Sequence, residues 1–187
     1  MLNTFAVYVE NKPGVLTRVA SLFRRRAFNI DSLAVGRTER PQVSRITITV
    51  DADVDQARRI EANLYKLVEV LLVENMTGEP SIMRDLAMIK VSVTPESRPH
   101  VMDLVNVFRG RIVDVAPESL IIEITGGEDK VDGLLEVLRP YGVLEMVRTG
   151  IVAMRRGSKS PAALSISTSS SSGSHDVTAD DSVSHSV

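Results

Sequence analysis

Residues Phe5–Ser32, FAVYVENKPGVLTRVASLFRRRAFNIDS, read as a strand, a Pro-Gly turn, an amphipathic helix and the start of a second strand. Phe5, Val7 and Val9 alternate with Ala6, Tyr8 and Glu10, a near period-2 run that predicts a strand buried mainly on one face. Asn11-Lys12-Pro13-Gly14 stops it. Proline fixes its own φ near the helical value and lacks an N–H, so Pro13 is expected in the first turn of the following helix. Gly14 removes a side chain where the backbone turns inward. Beyond it, Leu16, Val19, Ala20, Leu22 and Phe23 fall on one helical face, opposite Thr17, Arg18, Arg24 and Arg25. The helix therefore packs on a sheet and leaves its N-terminus pointing at the sheet's edge.

The free N–H groups of such a first turn, with the positive end of the helix dipole, suit a carboxylate. Gly14 lets a ligand approach the backbone, and the side-chain carbonyls of Asn11 and Asn29 suit an ammonium group. Together they fit a free α-amino acid. Taken alone, this stretch favours a plainer account, with Asn11 as helix cap and Gly14 as turn residue, because capping Asn residues are common.

The chain has 187 residues, 43% of them hydrophobic and 25% charged, ordinary globular composition for one or two small domains. No apolar run approaches the roughly 20 residues of a membrane helix, and the chain opens on a strand rather than a leader, so a soluble, cytoplasmic protein is expected. The absence of cysteine excludes disulfides and thiolate chemistry. The stretch from Gly157 onward carries one Lys against three Asp, which leaves 21 basic and 21 acidic groups in residues 1–156. A neutral body argues against nucleic acid.

Further along, Ile30–Thr38 and Ser44–Val50 predict an antiparallel hairpin across a polar turn. Asp51–Asp55 supplies cap and first-turn acids for a helix that buries Ala57, Ile60 and Leu64, and Val68–Val73 gives a fourth strand. The order is βαββαβ over residues 1–76, followed by a linker at 77–83 that includes Thr77-Gly78-Glu79-Pro80-Ser81. Residues 84–157 repeat the pattern. Leu86–Val93 is a strand, Val101, Leu104, Val105 and Phe108 mark a helix, and Arg111–Val115 with Leu120–Thr125 form a hairpin. Val131, Leu134, Leu135 and Leu138 mark another helix, and one last strand runs within Val143–Met154. The fold class is α+β: two ferredoxin-like sandwiches, each a four-stranded antiparallel sheet under two helices. A unit of about 75 residues buries only somewhat more than about 60% of its unfolded surface, so sheet edges or faces are expected to pair with the other unit or another chain. Twelve of the last 31 residues are Ser, and a disordered tail is expected at 158–187.

Catalytic constellations are thin. Two of three His, His175 and His185, lie in the serine-rich tail, His100 is expected at a helix surface or cap, and no nucleophile elbow, P-loop or dinucleotide fingerprint occurs. The chain itself is expected to be non-catalytic, with no metal site. RNA-recognition domains share the βαββαβ order but stack bases on exposed strand aromatics; Ser44–Val50 and Arg111–Val115 contain none.

The runs VYVENKPGVLTRVASLFRRRAFNIDSLAV, SRITITV, KLVEVLLVEN, RDLAMIKV, FRGRIVDV and VRTGIVAMRRG resemble the small, regulatory subunits of acetolactate synthase (acetohydroxyacid synthase) across about residues 2–157. The resemblance implies an N-terminal ACT domain, a C-terminal domain peculiar to these subunits, and a homodimer through the ACT domains. It also implies a large catalytic subunit as partner, holding thiamine diphosphate, Mg and FAD, with no cofactor in this chain. The expected role is activation of that subunit and feedback inhibition by valine or another branched-chain amino acid. Matched by motif, the valine ligands fall on Asn11, Gly14, Val15, Leu16, Asn29 and Ile30, with valine between ACT domains of two chains. One residue departs from the family, Ala27, where Gly is common; a positive φ there implies strain of roughly 1–2 kcal/mol. The loop Gly36–Val43 reads equally as a contact to the catalytic subunit and as a solvated hairpin turn. The alternative readings are a stand-alone amino-acid sensor of the ACT type serving another pathway, and a ferredoxin-like RNA-binding or structural protein.

Overall fold

The computed structural model of the chain describes residues 1–157; the expected disordered tail at 158–187 lies outside the described residues. Strand β1 is Leu2–Glu10, helix α1 Val15–Arg25, and β2 (Ile30–Arg37) pairs with β3 (Val43–Asp51) in the expected antiparallel hairpin. Helix α2 (Val54–Leu64) and β4 (Val70–Asn75) complete the first set. The second set is β5 (Ser81–Ser92), α3 (Arg98–Val107), β6 (Arg111–Val115), β7 (Ser119–Gly126), α4 (Glu128–Leu138), β8 (Val143–Arg148) and β9 (Val152–Arg155). Strand orders β2-β3-β1-β4 and β6-β7-β5-β8 are those of ferredoxin-like sandwiches, and every neighbouring pair is antiparallel.

The two helices of the first unit start differently. At α2, Asp53 accepts from the Gln56 N–H at 2.7 Å and Gln56 Oε1 accepts from the Asp53 N–H at 2.9 Å, a reciprocal cap worth about 1 kcal/mol. At α1 no side chain caps the first turn. Asn11 is thus not its cap, and Pro13 lies in the turn ahead of the helix rather than in its first turn. The buried face of α1 is Val15, Val19, Leu22 and Phe23. Leu16, expected on that face, is 42% exposed, and Ala20 is half-buried. Val15, Val19, Leu22 and Phe23 pack with Phe5, Val7, Ile46, Ile48, Ile60 and Leu64 in one core; Ile89, Ile122, Val101 and Leu134 centre the other.

Two expectations fail for one reason. β1 is buried on both faces, not one: Phe5, Val7 and Val9 meet the helices, while Ala6 and Tyr8 join Val43, Met76 and Ala153 on the opposite side. What covers that side is a ribbon the sequence reading split differently. β5 begins at Ser81, within the stretch read as linker, and its first residues pair with β9, Ser81 facing Arg155 and Arg84 facing Val152. The expected single last strand is two strands, β8 on the later part of β5 and β9 on its start. Tyr8 is sandwiched there, with the Arg45 guanidinium 5.2 Å from its ring centre and Arg45 Nη2 donating to the Ala153 carbonyl.

Candidate functional site

β1 delivers the chain to a turn held by backbone bonds. The Asn11 N–H donates to the Gln42 carbonyl at 2.7 Å and its Nδ2 to the Pro41 carbonyl at 3.0 Å, so Asn11 fastens the turn to the β2–β3 loop. Its side-chain carbonyl remains an acceptor. Gly14 has φ 82° and ψ −8°, the left-handed region that disfavours a Cβ. Among the described residues a Cβ there would meet nothing nearer than Arg18 Nη1 at 3.7 Å, which leaves open space over the turn. The N–H groups of Leu16 and Thr17, in the first turn, have no intrahelical acceptor, and no acid occupies that turn. The arrangement is a donor-rich helix start at the positive end of the helix dipole, chemistry that suits a small anion.

Arg18 was not singled out from the sequence. It stands one turn beyond Gly14, with Nη2 2.6 Å from Glu69 Oε1, and adds a guanidinium beside the open turn. The signal available was its place four residues after the glycine, on the helix face that carries Gly14.

Val15 is buried in the core and Leu16 stands out beside it. Asn29 is exposed and Ile30 half-buried, the latter packing against the first core. The lead-in to them is fixed: Ala27 adopts φ 57°, the Phe28 N–H donates to the Phe23 carbonyl at 3.1 Å, and the two rings meet edge-on at 6.4 Å.

The six expected residues form two groups, not one. Glu10 faces Val43 at the start of β3, and Arg37 of β2 faces Ser44 at the same end. Ile30 faces Val50, beside Leu2 facing Asp51, at the other end. The Asn11–Leu16 turn and the Asn29–Ile30 corner are therefore about 20–25 Å apart along the strands. One chain does not assemble them into one pocket. A cleft of about 690 Å³ between β2 and the β5–β9 ribbon, lined by Leu33, Val35, Arg45, Ile82, Val152 and Met154 among others, contains none of the six. Among the described residues no group of three or more His, Cys, Asp or Glu is placed to hold a metal, and no helix is long and apolar enough to cross a membrane.

Residues 5–72 match the family described as the AHAS small subunit-like ACT domain, and residues 84–157 that described as the small subunit of acetolactate synthase. The chain is 52% identical over 159 residues to a probable acetolactate synthase small subunit of Archaeoglobus fulgidus, covering 85% of this chain and 99% of the relative. It is 47% identical over 155 residues to the acetolactate synthase small subunit of Mycobacterium bovis, covering 83% and 92%. The crystal structure of the small subunit from Thermotoga maritima superposes with a TM-score of 0.80 at 43% identity, over 85% of this chain and 99% of that one.

Proposed function

The chain belongs to the family of acetolactate synthase small subunits, and from that premise we propose that it activates a catalytic acetolactate synthase subunit and makes it sensitive to valine or a related branched-chain amino acid. The sensor is a dimer, and each amino acid binds between two chains. Thiamine diphosphate and its metal belong to the catalytic partner, and this chain carries no cofactor.

The observation that supports the reading is the open edge of β2. It ends the strand order of the first sheet, so among the described residues its outward N–H and C=O groups have no partner strand. A second copy added antiparallel about a two-fold axis near Leu33 and Ala34 sets Ile30 of one chain beside Arg37 of the other. Arg37 marks the end of the sheet that holds Asn11 and Gly14. Pairing the edges thus brings the Asn29–Ile30 corner of each chain to the open turn of its neighbour, twice per dimer.

In such a site the Leu16 and Thr17 N–H groups and the helix dipole bind the carboxylate, with Arg18 near by, and Gly14 allows contact with the backbone. Asn11 from one chain and Asn29 from the other accept from the ammonium group. Leu16, exposed within one chain, and Ile30 enclose the branched side chain; Val15, buried beneath, holds the turn in shape. A ligand clamped between chains favours one arrangement of the dimer, which is what control of another subunit requires. A coupling of roughly 1–3 kcal/mol gives a 5- to 150-fold effect.

Reconstitution tests this directly. The full-length chain added to the catalytic subunit is expected to raise acetolactate formation and to render it inhibitable by valine. A chain that binds valine yet neither associates with nor activates that subunit belongs to another pathway's sensor.

A further inference from the structure

One hydrogen bond ties the Asn29–Ile30 end of β2 to the second unit. Ile30 faces Val50 and Ser32 faces Thr49, the very next residue of β3, so β2 holds one extra residue, Asp31. Residues two apart on a regular strand point to the same face; the bulge re-aims them. Ile30 packs against the helix-side core. Ser32 instead meets the loop between β8 and β9, where its Oγ accepts from the Ile151 N–H at 2.8 Å.

The contact leaves no slack. Gly150 has φ 82°, and a Cβ built on it would lie 2.7 Å from Ser32 Oγ and 3.4 Å from the Leu33 carbonyl oxygen. Only glycine permits this approach. From there the connection runs into the second sheet and its helix. The Thr149 N–H donates to the Leu86 carbonyl at 3.0 Å, and Thr149 Oγ1 donates to Asp85 Oδ1 at 3.3 Å. Asp85 is buried and pairs with Arg148 Nε at 3.4 Å, and Arg148 also pairs with Asp132 of α4.

We infer that the Ser32–Ile151 joint, with Gly150 as its close-packed seat, is the element through which occupation of the amino-acid site shifts the second unit. The inference rests on the proposed valine site, since it takes the Asn29–Ile30 corner as one half of it. A single residue, Asp31, separates Ile30 from Ser32, so a displacement of the corner on ligand binding reaches the β8–β9 loop through one bulge and one hydrogen bond. Ser32 and Gly150 are positioning residues. Neither belongs to the six that would touch valine.

The test uses the full-length chain and the reconstituted complex, with Ser32→Ala removing the acceptor and Gly150→Ala crowding the seat. For Ser32→Ala, valine affinity of the full-length regulatory chain and activation without valine are expected to match wild type. The valine concentration that halves activity in the complex is expected to rise at least about fivefold, the equivalent of a hydrogen bond of about 1 kcal/mol. Gly150→Ala, if it folds, shifts the same midpoint in the same direction. A Ser32→Ala complex inhibited at wild-type concentrations overturns the inference. A wild-type chain that binds no valine, alone or in the complex, instead overturns the site on which the joint depends.

Discussion

Asn11 and Asn29 stand at opposite ends of one sheet. Asn11 is bonded to Pro41 and Gln42 in the loop that enters β3, whereas Asn29 precedes Ile30, which faces Val50 near the end of β3. Two amides that far apart serve one small ligand only if they come from different chains, and the edge of β2, which has no partner strand among the described residues, is where the proposed dimer would bring them together.

Gly14→Asp places a carboxylate where the ligand's carboxylate would sit and adds a side chain at φ 82°. Valine affinity is expected to fall at least about tenfold, or about 1.4 kcal/mol, by calorimetry, with circular dichroism unchanged. Retained affinity moves the site away from the turn.

Val35 lies on β2 and is 50% exposed, so a charge there costs the folded chain little. Val35→Asp is expected to separate the dimer in sedimentation and, with it, to abolish valine binding, although Val35 is none of the proposed ligand residues. A Val35→Asp monomer that binds valine normally would show a one-chain site.

Ala27 occupies the position just past the end of α1 at φ 57°, where glycine normally ends a helix. Relief of roughly 1–2 kcal/mol of strain, less the greater unfolded freedom of glycine, makes Ala27→Gly more stable by about 0.5–1 kcal/mol. A chemical-denaturation midpoint that falls instead would show that Ala27 makes a contact worth more than its strain.

The Tyr8 phenol is held above its ordinary pKa of 10.0, chiefly by burial, with the Arg45 charge opposing and Glu74 reinforcing the shift. A raised folded-state value contributes stability that is present below the unfolded pKa and lost as pH climbs toward the folded one. Stability is therefore expected to decline from about pH 10 upward, and Tyr8→Phe to flatten that decline. An identical alkaline limb in the variant would assign the loss to another group.

Much of this architecture is legible locally, because hairpins, capped helices and period-2 strands are written in neighbouring residues. Asp51–Asp55 announces α2, and the Ser44–Val50 alternation announces β3. What escapes is whatever depends on distant cover. β1 shows a one-faced alternation, yet Ala6 and Tyr8 are buried because β9, far along the chain, lies over them. The break between β8 and β9 turns on Gly150, and its seat, Ser32, is 119 residues from Ile151 in sequence; no window of residues reveals that meeting. Leu16 fits the apolar stripe of α1 as well as Val19 does, and periodicity alone does not say which edge of a wide stripe the core leaves exposed. The six candidate residues come from the turn chemistry and the family resemblance, and their division between two ends of the sheet follows from counting β2 back along β3.

The most direct measurement is complementation between two variants, each expected to bind valine at least about tenfold more weakly on its own. In a mixed dimer of Gly14→Asp and Asn29→Ala chains, one interface combines both lesions, while the other pairs an intact turn with an intact Asn29–Ile30 corner. Calorimetry after the two proteins have been mixed and allowed to exchange subunits is expected to show valine binding restored at wild-type affinity and reduced stoichiometry. A mixture that exchanges subunits yet binds no more valine than its separate components would contradict a site shared between two chains.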